Sequence, residues 1–115
     1  MPITELAALQ LLPSNNFHSS HISKLFRVIS TRQSAVSNFP LYFFEDTTEE
    51  SIIYLISSWN DVDSHMKWIE SDANQELLRL SIPYLKVLRL FHLDVDFTGV
   101  EITFRVHHYG ESLCV

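Results

Sequence analysis

Two neighbouring runs of aromatic and aliphatic residues constrain the fold of this chain more than any other feature. The runs FPLYFFED and SIIYLISSW occupy residues 39–46 and 51–59, and the four polar residues TTEE separate them. Aromatic and β-branched runs joined by a short polar segment are typical of a β-hairpin. Successive residues in both runs are apolar, so large side chains lie on both faces of each predicted strand. The sheet that contains this hairpin therefore needs cover on two sides.

The segments on either side of the hairpin predict the order of the remaining elements. Residues 3–12 (ITELAALQLL) end at a Pro-Ser-Asn-Asn turn signal and are predicted as the first strand. Residues 19–37 follow as a helix, and two helical stretches after Asn60 or Asp61 precede a last strand at 87–95. The first helix should bury its apolar positions, which are Ile22, Leu25, Phe26, Ile29 and Val36. The order β-α-β-β-α-β predicts a ferredoxin-like α+β subunit with a four-stranded antiparallel sheet.

The last predicted strand, VLRLFHLDV, is also apolar on both faces. Regular alternation would place Leu88 and Leu90 on one side and Val87, Phe91 and Leu93 on the other. Helices can cover only one side, and one chain supplies only one sheet. Face-to-face pairing of two copies is the simplest solution, so we expect a homodimer.

Length and pattern indicate one domain with a short extension. The chain has 115 residues, which suits a single core. We expect this domain at residues 1–98 and a C-terminal extension at residues 99–115 that contacts the partner subunit. Residues 100–108 (VEITFRVHH) alternate apolar and polar side chains, which predicts an extra strand after the core fold.

Composition excludes several functional classes. Eight Lys and Arg against fourteen Asp and Glu give a net charge of −6 without a basic cluster, which argues against nucleic acid and anionic membranes as partners. No apolar run approaches the roughly 18 residues of a membrane span, and the N-terminus lacks the basic region of a signal peptide. We therefore expect a soluble, cytoplasmic protein. The single cysteine, Cys114, cannot form an intrachain disulfide, and the two glycines cannot build a glycine-rich phosphate loop.

The stretch WNDVDSHMKWIESDANQELLRLSIPYL resembles the antibiotic-biosynthesis-monooxygenase-like proteins of the dimeric α+β barrel superfamily, in their fungal type. The start ITELAALQLLP and the end LFHLDVDF are similar to the same group, so the resemblance covers residues 3 to 98. It implies a dimeric barrel, and the family includes cofactor-free oxygenases, haem-degrading enzymes, polyketide cyclases and small proteins of unknown role. The residues that match are Trp59, Asp61, His65, Trp68, Ser71 and Leu85.

The plant polyketide-cyclase branch of that superfamily implies positions for a site. Carried over by position, its first-strand, helix, helix-break and last-strand groups fall on Glu5, Trp68, Asn74 and His92. That branch has His, His and Asp where this chain has Glu5, Asn74 and His92, so the same cyclisation does not transfer directly.

The residue types make Glu5, His65 and His92 catalytic candidates. The alternatives are that His65 caps its helix or faces solvent and that Glu5 only reaches the rim of the pocket. A neutral imidazole with a pKa of about 6.5 can act as a general acid or base, although His92 can equally be a core histidine with one partner. The first and last strands should be antiparallel neighbours, which would bring Glu5 close to His92. The candidate substrate-binding residues are Trp59, Trp68, Asn74, Tyr54, Tyr84 and Arg89, which offer ring surfaces, phenols, an amide and a cation.

We expect neither a metal nor another cofactor. The neighbours His107 and His108 would point to opposite faces of a strand, and no helix carries a metal-binding His spacing. The haem-degrading branch needs an axial His with an Asn and a Trp, and the spacing of His65, Asn74 and Trp68 fits that arrangement poorly.

Three functional hypotheses remain open from the sequence. The first is a cofactor-independent enzyme of secondary metabolism that uses acid–base catalysis on an aromatic or polyketide-like intermediate, in cyclisation, dehydration, isomerisation or decarboxylation. The second is a cofactor-free monooxygenase acting on a phenol or anthrone. The third is a non-catalytic dimer that binds a small molecule.

Overall fold

The computed structural model describes residues 2–93 and two short strands at residues 103–105 and 112–114. Its main body is a four-stranded antiparallel sheet in the order β2-β3-β1-β4 with three helices. The predicted ferredoxin-like α+β subunit is confirmed, with the second helix divided into α2 and α3. The elements are β1 (Ile3–Leu11), α1 (Ser20–Ser37), β2 (Leu41–Glu45), β3 (Ile52–Trp59), α2 (Val62–Glu70), α3 (Asp72–Ser81) and β4 (Leu85–Leu93).

Local capping sets where α2 and α3 begin. The Asp61 carboxylate accepts a hydrogen bond from the backbone N–H of Ser64 at 2.7 Å, so α2 starts directly after β3. The Ser71 hydroxyl donates to the Trp68 carbonyl at 2.6 Å and accepts from the Asn74 N–H at 3.1 Å. One serine therefore ends α2 and starts α3. This junction places Trp68 and Asn74 where both line the cavity described below.

The helix-facing side of the sheet forms the core. Leu9, Ile53, Leu55 and Leu41 pack there against the buried stripe of α1. The stripe differs from the prediction at one position, because Val36 is 54% exposed and Gln33 is 4% exposed. Gln33 lies four residues after Ile29, on the same side of the helix, and it has a polar partner on the sheet that is described below.

A β-bulge interrupts the pairing of β1 with β4. Ala8 pairs with Arg89 while Leu9 pairs with Val87, so Leu88 is an extra residue on β4. Directly paired residues point to the same face, and Val87 therefore lies on the helix-facing side. The prediction that Val87 lies on the face opposite Leu90 was wrong for this reason. The strand also begins at Leu85, two residues earlier than predicted, because Leu85 pairs with Leu11.

The outer face of the sheet, which is opposite the helices, carries apolar side chains. Tyr42, Phe91 and Leu93 are each between 39% and 45% exposed there. None of the three helices of the described part packs on this face. No described helix is long and apolar enough to cross a membrane.

Two further strands follow the main sheet in sequence. β5 (Thr103–Arg105) and β6 (Ser112–Cys114) pair antiparallel in a separate two-stranded sheet. The rest of the predicted strand at 100–108, including His107 and His108, lies outside the described residues, as does the predicted boundary between residues 98 and 99.

Candidate active site

A buried carboxylate on β1 is the centre of the site. Glu5 is 4% exposed, and its Oε1 accepts hydrogen bonds from Trp59 Nε1 at 2.8 Å and from Gln33 Nε2 at 3.0 Å. His65 Nε2 lies 3.4 Å from the same oxygen. Burial alone would raise the pKa of Glu5, but the hydrogen bond and charge of His65, with the bonds from Trp59 and Gln33, outweigh it and hold this pKa below its ordinary value of 4.5. Glu5 is therefore an ionised carboxylate inside the protein at neutral pH.

The sheet register and the start of α2 bring these groups together. Glu5 pairs directly with His92 on β4 and with Ser57 on β3, so all three residues lie on the helix-facing side. The turn at Asp61 then returns the chain over the end of β3. As a result, the His65 ring stacks on the Trp59 ring, with centroids 5.0 Å apart and planes 17° apart.

His65 connects Glu5 to His92. Its Nδ1 lies 2.5 Å from His92 Nε2, and the two rings meet edge to face with centroids 4.8 Å apart. His65 is 1% exposed, whereas His92 is half-buried. Burial and then the charge of His65 lower the pKa of His92 below 6.5, although Glu5 acts in the opposite direction. The neutral form of His92 is therefore favoured more than that of a free histidine.

We call this row of Glu5, His65 and His92 the carboxylate–histidine row. The expected proximity of Glu5 and His92 is present, but the two side chains are connected through His65. The His65 ring lies between Glu5 and His92, and each of its nitrogens faces one of them. Among the residues that the structure describes, no group of three His, Cys, Asp or Glu side chains could share a metal ion.

A cavity of about 180 Å³ lies between the sheet and the helices, next to Glu5. Most of its wall is apolar and comes from Leu9, Leu55, Trp68, Leu77 and Leu90, among others. Its polar lining groups are Glu5, Gln33, His65, Asn74 and Ser81. Leu78, Val87 and Leu90, which also line it, are 40%, 49% and 41% exposed, so the cavity opens beside the edge strand β4.

The predicted site residues occupy different places relative to this cavity. Glu5, His65, Trp68 and Asn74 line it, and Trp59 lies behind Glu5 and His65. His92 is not among the lining residues and reaches the cavity only through His65.

The structure places the other three predicted substrate-binding residues away from the cavity. Tyr54 lies on the outer face and donates to Asp46 Oδ2 at 2.8 Å, and burial together with that hydrogen bond and charge raises its pKa to about 12. Tyr84 packs against the core near His21, and Arg89 is exposed on the outer face.

Sequence reasoning missed Gln33, which donates to Glu5 and lines the cavity. The available signal was its position four residues after Ile29, where a polar residue interrupts an apolar stripe. A buried polar side chain of this kind needs a hydrogen-bond partner, and the buried Glu5 carboxylate supplies it.

Comparison with known proteins gives solved structures with the same architecture. No protein-family model and no curated protein sequence matches the chain. PA3566 from Pseudomonas aeruginosa superposes with a TM-score of 0.62 at 17% identity, over 80% of this chain and 91% of that one. A candidate antibiotic biosynthesis monooxygenase from Chloroflexus aurantiacus J-10-fl gives 0.62 at 11% identity, over 84% and 95%. SnoaB, a cofactor-independent oxygenase from Streptomyces nogalater, gives 0.56 at 12% identity, over 84% and 97%.

This chain has their fold. At these identities the similarity concerns the architecture alone, and function has to be argued from the site.

Proposed function

We propose that this chain is a cofactor-independent enzyme of the antibiotic-biosynthesis-monooxygenase superfamily that applies acid–base catalysis to an aromatic or polyketide-like compound of secondary metabolism. The observation that carries the proposal is the carboxylate–histidine row, whose buried end lines an apolar cavity. Burying a carboxylate and an imidazole in contact, with a second imidazole half-buried beside them, is costly unless they are paired, and such groups concentrate at functional sites. Cyclisation, dehydration, isomerisation and decarboxylation all need a proton to be moved in this way.

Glu5 and His65 both line the cavity, but both nitrogens of His65 face other members of the row, so Glu5 is the group with a polar atom left for a substrate. All three donors use its Oε1, and Glu5 lines the cavity, so its Oε2 is the oxygen available to a bound molecule. In the proposed step, Oε2 accepts a proton from a hydroxyl or an activated carbon of the substrate. The His65 ring, which lines the cavity beside Glu5, then stabilises the resulting substrate anion, which is effective because the cavity is largely apolar.

His92 has a different role in this mechanism. It is half-buried and its Nε2 is hydrogen-bonded to His65 Nδ1, so it can relay a proton between the buried site and the outside. Glu5 completes the cycle by returning its proton to another atom of the substrate or to the product. His65 and His92 are therefore positioning and proton-exchange residues, and Glu5 is the catalytic residue.

Oxygenation is the second candidate, because SnoaB, which has this fold, is a cofactor-independent oxygenase. The first step would be the same. A substrate anion formed at Glu5 can itself reduce dioxygen, so that a ring CH₂ group becomes a carbonyl and one water molecule leaves. This route needs no further group from the protein beyond the base and a dry cavity.

Deuterium exchange tests the shared first step without knowledge of the natural substrate. Resorcinol, whose ring hydrogens exchange through its keto form, is incubated in D₂O under nitrogen and followed by proton NMR. We expect the protein to accelerate exchange and Glu5→Gln to abolish the acceleration. Glu45→Gln, which changes a carboxylate that contacts only His18 among the described residues, is the matched control.

The same reaction in air separates the candidates. Exchange without oxygen uptake supports acid–base catalysis, and uptake that depends on Glu5 supports oxygenation. If neither occurs with resorcinol, phloroglucinol or cyclohexane-1,3-dione, the proposed catalysis is wrong and a binding role remains.

We also propose that two copies pair through the outer face of the sheet, and that residues 99–115 contact the partner subunit. Exposed Tyr42, Phe91 and Leu93 support this pairing, because a soluble monomer rarely leaves so large an apolar sheet face in water. We place this dimeric enzyme in the cytoplasm.

A further inference from the structure

The buried Glu5 carboxylate has one satisfied oxygen and one that lacks a partner. Trp59, Gln33 and His65 all approach Oε1. No residue in the described part of the chain donates to Oε2. Among the described residues, only Ser58 Oγ is a fully buried polar side-chain atom without a partner. Oε2 is therefore open to the cavity that Glu5 lines, and a molecule bound there can donate a hydrogen bond to it.

The charge of the cavity restricts what that molecule can be. Among the described residues, the lining contains the Glu5 carboxylate and no Lys or Arg. A carboxylate, phosphate or sulfate in the cavity would meet the negative charge of Glu5 in apolar surroundings, because the charge of His65 is already paired with the Glu5 carboxylate. The ligand that fits is uncharged and carries a hydroxyl.

The size of the cavity restricts the ligand further. A dry engineered cavity of about 150 Å³ holds one benzene molecule. The present cavity measures about 180 Å³, which accommodates one ring with a small substituent. The open side at Leu78, Val87 and Leu90 gives additional room for a short apolar chain but not for several fused rings within the protein.

We propose that the cavity binds an uncharged single-ring phenol or cyclic enol, whose O–H donates to Glu5 Oε2 and whose ring packs against Trp68 and Leu77. This inference deepens the proposed function by naming the substrate class. Binding can be measured without turnover, so the two claims can fail separately.

One substitution tests the geometry directly. In Glu5→Gln the amide oxygen must occupy the Oε1 position, because the indole, amide and imidazole donors all point there. The amide NH₂ group must then take the place of Oε2 and face the cavity. A hydrogen-bond acceptor becomes a donor without a change in shape, so the ligand preference should reverse.

Isothermal titration calorimetry measures this reversal. Four probes of similar size are used: 3-ethylphenol, 3-ethylanisole, acetophenone and 3-ethylbenzoate. We expect the natural protein to bind 3-ethylphenol at least about tenfold more tightly than acetophenone or 3-ethylanisole, and to reject 3-ethylbenzoate. Glu5→Gln should bind acetophenone more tightly than 3-ethylphenol. Glu45→Gln should keep the natural order.

Two results would overturn the inference: the same order of affinities in the natural protein and Glu5→Gln, or 3-ethylbenzoate binding as tightly as 3-ethylphenol.

A size series of 3-ethylphenol, 2-naphthol and 9-phenanthrol should show affinity falling at the third ring, and 9-phenanthrol as the tightest ligand would refute the single-ring limit. Glu5-dependent exchange without a preference for phenols would remove this inference and leave the proposed catalysis in place. A reversed ligand preference in Glu5→Gln without any deuterium exchange would support this inference and refute the proposed catalysis.

Discussion

The hydrogen bond from Trp59 to Glu5 can be isolated by comparing two tryptophans. Trp59 and Trp68 are 1% and 4% exposed, lie in the same core cluster and have ring centroids 6.2 Å apart. Trp59 Nε1 donates to the Glu5 carboxylate at 2.8 Å. Within the described residues, nothing accepts a hydrogen bond from Trp68 Nε1. Replacing either tryptophan by Phe removes a similar amount of buried ring. Only Trp59→Phe also removes a hydrogen bond.

The expected losses differ by the contribution of that bond. Trp68→Phe should lower the free energy of unfolding by about 1–2 kcal/mol, from lost burial and imperfect repacking. Trp59→Phe loses the same packing and, in addition, a hydrogen bond to a charged group, which contributes about 1.5–3 kcal/mol. It also removes one of the donors that lower the pKa of Glu5, so that this pKa should rise.

Urea unfolding followed by far-UV circular dichroism measures both variants, at one pH and one protein concentration so that any dimer contributes equally. Equal losses for Trp59→Phe and Trp68→Phe would refute the reasoning, because the bond to Glu5 would then contribute nothing. A larger loss for Trp68→Phe would do so more strongly.

Three further predictions concern acid stability, His92 and the dimer. The pKa values of His92 and Glu5 are both lowered on folding, so the unfolded chain binds more protons than the folded one. The free energy of unfolding should therefore decline as pH falls, first below 6.5 and again below 4.5. Urea midpoints that do not change between pH 7 and pH 4 would contradict this. His92→Gln should fold normally, lose the first decline and slow catalysis roughly a hundredfold, whereas an unchanged rate would make His92 a core residue. In sedimentation, the natural protein should be a dimer of 13.4 kDa chains, and Phe91→Glu should be a monomer. Leu80→Glu, which changes an equally exposed residue on α3, should stay dimeric. A monomeric natural protein would refute the pairing.

The sequence was sufficient for the strand order and for the proximity of Glu5 to His92. Apolar runs and turn signals define the strands, and antiparallel pairing of β1 with β4 follows from the predicted topology. The central position of His65 was not predictable, because it depends on the angle at which α2 leaves Asp61. The role of Gln33 also required the structure, since a glutamine within a helix is usually solvated and its partner is 28 residues away.

Because β4 contains a bulge, the effect of deleting one residue from this strand depends on which residue is removed. Deleting Leu88 would leave a strand that alternates regularly from Leu85 to His92, with His92 still turned toward His65. Deleting Leu90 would instead turn His92 to the outer face or, if the bulge closed, bring Arg89 to the helix-facing side. Loss of a leucine is therefore neutral at one position and damaging two residues later. In an alignment of related chains with this one, a one-residue gap at Leu88 is compatible with the same site. A one-residue gap after Arg89 is not.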